Sequence, residues 1–174
     1  MTRLAFALLA TAACVIPPSQ STFGGVGTGD GVGTRMSIGA HATAFDDHGD
    51  LPIDLGAGWV SEDVDTRGTS HGTYVALARR VRGPLWLGGR AEQWWSARVG
   101  QPSRGLVARA AWREHLAGVR WGDGSNGGAL GVMGAVATSA FVDVGGRQLD
   151  GGGAEIFAAA GVALELPAFA GISR

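Results

Sequence analysis

Three groups of residues in this chain carry side chains able to do chemistry. The run Gly68-Thr69-Ser70-His71-Gly72 satisfies the spacing G-x-S-x-G, in which a serine nucleophile sits on a sharp turn between a buried strand and a helix. The residues before it are EDVDTR at 62–67, a charged run and not a buried strand, so the motif is expected to be accidental. His41, Asp46, Asp47, His48 and Asp50 bring imidazole and carboxylate ligands close together, but at no spacing known for zinc or calcium. An acidic turn after a strand explains them better. Cys14 is the single cysteine, which excludes an intramolecular disulfide. No metal, cofactor or catalytic residue is therefore expected, and the protein is read as a non-enzyme.

The remaining polar residues gain meaning from the elements that must hold them. Residues 84–95, PLWLGGRAEQWW, interleave two sets. Leu85, Leu87, Gly89 and Ala91 alternate with Gly88, Arg90 and Glu92, and a strand sends successive side chains to opposite faces. The same period of two recurs at 35–45, 52–60, 73–81, 106–113, 129–144 and 154–166. Residues 73–81 also suit two helical turns, and 106–118 also suit an amphipathic helix. Residues 61–72 read as a long polar loop, and 145–153 as a second loop. These runs give about seven strands, with an eighth expected in 116–121 or in the glycine-rich stretch near 24–33.

The face opposite the apolar one is mostly Gly, Ala and Ser, with sparse Arg and Glu, and the chain has 14 basic residues without one lysine. A water-soluble β-protein needs charges on its outer face, whereas a membrane barrel turns apolar residues to lipid and packs small or polar ones inside. The expected fold is therefore all-β: a single antiparallel up-and-down β-barrel of about eight strands. Arg90, Glu92, Arg109, Arg113, Glu155 and Glu165 are the expected polar network of its lumen, since buried charges persist when paired. Trp59, Trp94, Trp95 and Trp121 lie near run ends, as interfacial girdle residues do, while Trp86 and Trp112 fit core packing equally well.

The N-terminus places Arg3 before the apolar run LAFALLATAA at 4–13 and the small pair Ala12-Ala13 before Cys14. This stretch resembles a bacterial lipoprotein signal peptide, although Thr11 stands where Leu or Val is usual. The resemblance implies removal of residues 1–13 and lipidation of Cys14. An ordinary secretory signal cleaved nearby is the alternative. Residues 14–33, with Pro17-Pro18 and many glycines, read as a flexible lipid-anchored linker, leaving 34–174 as the barrel domain. Residues 34–170 as a whole resemble small eight-stranded bacterial outer-membrane β-barrel proteins, on alternation, glycine content and length. That resemblance implies an outer-membrane location, with the lipid bilayer as partner and a structural or interaction role. The family's terminal aromatic residue is not matched, because the chain ends in Arg174 with Phe169 five positions earlier. The alternative is a lipid-tethered soluble periplasmic barrel or sandwich that binds a small hydrophobic ligand. A formal net charge of −1 supplies no basic field for nucleic acid.

Overall fold

The computed structural model describes residues 14–16, 19–44, 53–95, 98–121, 130–166 and 168–171. These residues form strands joined by turns, and eight of the strands close into one antiparallel barrel. In chain order the barrel strands are β2 (Ser19–Thr28), β3 (Val32–Ala44), β4 (Ile53–Val64), β5 (Gly68–Arg82), β6 (Leu85–Trp94), β7 (Pro102–Trp121), β8 (Leu130–Leu149) and β9 (Ala154–Leu166). Each pairs with its sequence neighbour, and β2 pairs with β9 to close the cylinder. Two short strands lie beyond this ring: β10 (Ala168–Gly171) pairs with the start of β8, and β1 (Cys14–Ile16) pairs with β10.

The closed register can be traced from residue to residue. Starting at Glu165, the partners run through Gln20, Gly39, Gly58, Tyr74, Glu92, Gly105 and Arg147 and arrive at Glu155, ten residues from the start on the same strand. A stagger of that size around eight strands tilts them by roughly 40° to the barrel axis, and at this strand number the interior is just wide enough for side chains to fill.

Two turns show why the connections can be short. Gly83, with φ +52°, makes the reversal between β5 and β6, and Gly151, Gly152 and Gly153, with φ from +82° to +104°, make the one between β8 and β9. Side chains other than glycine rarely adopt this left-handed backbone. The four connections β2–β3, β4–β5, β6–β7 and β8–β9 lie at one end, here termed the hairpin end. The β5–β6 turn, β1 and β10 mark the other, the terminal end.

Several expectations are corrected. Residues 14–33, expected to be a linker, hold a barrel strand from Ser19 to Thr28, so that of the two places expected for the eighth strand it is the glycine-rich one that supplies it. Its glycine is needed for close approach: a Cβ on Gly24 would stand 2.3 Å from the Ala160 carbonyl oxygen, and one on Gly161 would stand 2.2 Å from that of Phe23. The polar residues 61–64 and 68–72 are strand, with only 65–67 as turn, and β8 runs on through 145–149. Both helical alternatives, at 73–81 and 106–118, are excluded because those residues pair on both sides within the barrel or along β8. Residues 1–13 lie outside the described residues. So do Asp46, Asp47, His48 and Asp50.

Candidate functional site: the charged lumen

Alternation decides which residues can reach the barrel interior, and here the inner wall is the polar one. The structure places Arg90, Glu92, Arg109, Arg113, Glu155 and Glu165 there, four of them fully buried and Arg109 and Glu155 half-buried. They do not act alone. Among the described residues, Arg35, Arg67, Arg147, Asp54, Glu62 and Asp143 join them, so that six guanidinium groups face six carboxylates.

The charges form three groups along the axis. Toward the hairpin end, Glu62 accepts from Arg35 at 2.9 Å and pairs with Arg147 at 2.7 Å. Glu155 accepts from Arg147 at 2.5 Å and Arg67 at 2.7 Å, and Glu92 pairs with both Arg35 and Arg90. Arg35 and Arg147 lie against the Phe157 ring, their guanidinium carbons 5.0 and 4.8 Å from its centre, and Arg35 also faces Trp94. Such contacts give the cations a favourable neighbour where water is excluded. Above them, Val26, Val64, Val107, Phe157 and Ala159 form an apolar plug.

In the middle, Arg109 donates to both oxygens of Asp143, at 2.7 and 2.8 Å, in a bidentate pair, and lies over Phe141 at 4.1 Å. Toward the terminal end, Arg113 donates to Asp54 at 2.5 Å and to Glu165 at 2.8 Å and stacks over Trp86. His41 Nδ1 lies 3.0 Å from Asp54, and Gln20 donates to Glu165 at 2.9 Å. The lumen is not completely filled here. A cavity of about 60 Å³ is lined by small residues such as Gly56, Ala76, Ala78, Gly88 and Ala111 and by the polar groups of Arg90, Arg109, Arg113, His41 and Ser139.

Sequence reasoning missed half of these charges, for separable reasons. Arg35 and Asp54 share the alternation of residues already read as one face, so parity could have found them. Glu62 and Arg147 were hidden because their segments read as loops.

The other singled-out residues fall elsewhere. Ser70 faces the lumen within β5, 5% exposed and paired with Glu62, and the chain continues as strand to Arg82. The strand–turn–helix geometry of a nucleophile elbow is therefore not formed around it. Cys14 opens β1, opposite Gly171. Of the expected girdle tryptophans, Trp94 is instead a lumen residue at 2% exposure, while Trp95 points out at 58%. Neighbours on a strand must diverge in this way. Trp112 is also on the outer wall, and Trp59 stacks on His71 with ring centres 5.3 Å apart.

No family model, curated protein or solved structure matches the chain significantly. Fold and site therefore rest on the chain's own geometry.

Proposed function

We propose that this barrel spans a bilayer of the bacterial outer-membrane type, anchored additionally by a lipid on Cys14, and that it serves a structural or interaction role and not catalysis. The observation that carries this reading is the inversion of its two walls. Every barrel strand exposes large apolar side chains outward, including Phe23, Met36, Leu55, Leu77, Leu87, Leu106, Val142 and Val162, while charges are concentrated inside. In water this arrangement is costly on both counts, because apolar surface is left wet and ions are taken out of solvent. In lipid it is the stable one.

The band has suitable dimensions. On β9 the outward residues from Ile156 to Leu166 are all Ile, Ala, Val or Leu. At the tilt given above they cover about 26 Å along the axis, against an apolar band of about 25 Å in membrane barrels. Outward polar residues frame it: Asp63, Thr69, Gln93, Arg104 and Gln148 at the hairpin end, Arg79 and Glu114 at the other. Closure also pairs each strand on both sides around the ring, as the hydrocarbon core requires, while among the described residues β7 beyond Trp112 and β3 beyond Ala40 run on with a ladder on one side. Ion pairs and aromatic rings fill most of the lumen, which favours a scaffold over an open pore.

The test is a charge placed on the outer wall. Val142→Arg costs about 2–4 kcal/mol at the bilayer midplane but stays nearly neutral on a water-facing strand. The expected result is that wild type, refolded into lipid vesicles, migrates on gels as a compact form that heating expands, and that Val142→Arg loses this form first in urea. A wild-type chain that folds and stays monomeric in buffer without detergent or lipid overturns the membrane reading. The lipid on Cys14 is tested separately, by the intact mass of the membrane-bound protein with and without Cys14→Ser.

A further inference from the structure

We propose that the lumen cavity is a binding site for a small monovalent anion of the halide class, held chiefly by Arg90. Most charges near the cavity are already neutralised by a partner. Asp143 occupies Arg109 through both of its oxygens, and Arg113 is shared by Asp54 and Glu165. Those two carboxylates also line or adjoin the cavity, but His41 and Gln20 take up further oxygens, so they are supplied with donors.

Arg90 is different. It is 4% exposed, and among the described residues its one ion-pair partner is Glu92, at 3.3 Å, which Arg35 contacts more closely. Its guanidinium lies over the Tyr74 ring at 3.8 Å, and one Nη1 contact reaches Ser37 at 3.5 Å. Its Nη2 has no hydrogen-bond partner among the described residues, its Nε meets Glu92 only through that 3.3 Å ion-pair contact, and His41 Nε2, at the same cavity, is also without a partner there. A buried guanidinium with unmatched N–H groups beside an empty space calls for an acceptor carrying negative charge.

The size of the space restricts what that acceptor can be. About 60 Å³ exceeds the ~10–15 Å³ that one water-sized sphere needs, yet it is far below the several hundred Å³ of an organic-ligand pocket. A halide accompanied by a few waters fits, and a hydrophobic ligand does not. The site is internal, so it is the same whether lipid or water covers the outer wall.

The full chain is refolded in detergent at equal ionic strength in sodium chloride, sodium bromide or sodium gluconate, whose anion is too large for the cavity. The thermal midpoint is then read by circular dichroism. The expected result is a midpoint higher by at least about 3 °C in both halides than in gluconate, because a ligand bound only to the folded state raises it. Arg90→Met is expected to abolish the difference, while Arg98→Gln, on the exposed β6–β7 turn, keeps it. Equal wild-type midpoints in the three salts mean that water alone occupies the cavity and overturn the proposal. If Arg90→Met does not fold, crystals of wild type grown in bromide decide: an anomalous peak beside Arg90 and Tyr74 supports the site, and its absence refutes it.

Discussion

The two ends of the lumen are built from the same residue types and differ in how closely they are filled. At the hairpin end, Arg35, Arg147, Glu62 and Glu155 interlock under a plug of Val26, Val64, Val107 and Phe157, with Val60 and Trp94 buried alongside. At the terminal end, Arg113, Asp54, Glu165 and His41 border open space lined by Gly56, Gly88 and Ala111. The barrel diameter is common to both, so the difference lies in side-chain volume alone. Large inward residues exclude water and leave each ion dependent on its partners. Small ones leave a space whose contents can share that task.

Four substitutions test this contrast, in descending order of effect. Glu62→Ala leaves Arg35 and Arg147 buried with one carboxylate contact fewer each and is expected to cost about 3–5 kcal/mol, read from urea unfolding of the refolded protein. Ala159→Leu adds bulk inside the apolar plug and is expected to cost about 1–3 kcal/mol by the same measurement. Arg113→Met is expected to cost only about 2 kcal/mol, because Asp54 retains His41, Glu165 retains Gln20, and the cavity admits water to both. A cost equal to that of Glu62→Ala removes the distinction between the ends. Gly56→Ala is expected to stabilise by about 0.5 kcal/mol, since its Cβ meets nothing closer than 3.7 Å and the unfolded chain loses freedom. A clear destabilisation there means the terminal end is as tightly packed as the other.

What the sequence made legible was the alternation, and what it concealed follows from the same inversion. Residues 154–166 separate into Glu155, Phe157, Ala159, Ala163 and Glu165 inside and Ile156, Val162, Leu164 and Leu166 outside, as their parity implies. A segment dense in charge, such as Ser61-Glu62-Asp63, reads as loop because charges usually mark solvent. In a barrel whose interior is polar, Glu62 is charged because it faces inward. Glycine misled in a related way at 19–28: low strand propensity suggested a tether, whereas Gly24 is required by the approach of Gly161 across the closing pair. The cavity was not legible at all, since it depends on which small residues from five strands share one level after the ten-residue stagger.

The pairing of β2 with β9 has a kinetic consequence. These strands lie at opposite ends of the domain sequence, with Phe23 paired to Val162, so the ring closes only after the last strand is available. Contacts of such long sequence separation are slow to form, because a large loop must be ordered before they return any stability. Until then both β2 and β9 carry a free edge, and the lumen charges are open to solvent. An open sheet cannot rest in hydrocarbon with its edge amides unmatched. On the proposed membrane reading, insertion and ring closure proceed as one concerted event, and a variant slowed at Gly24 or Gly161 is expected to accumulate outside the bilayer instead of half-inserted within it.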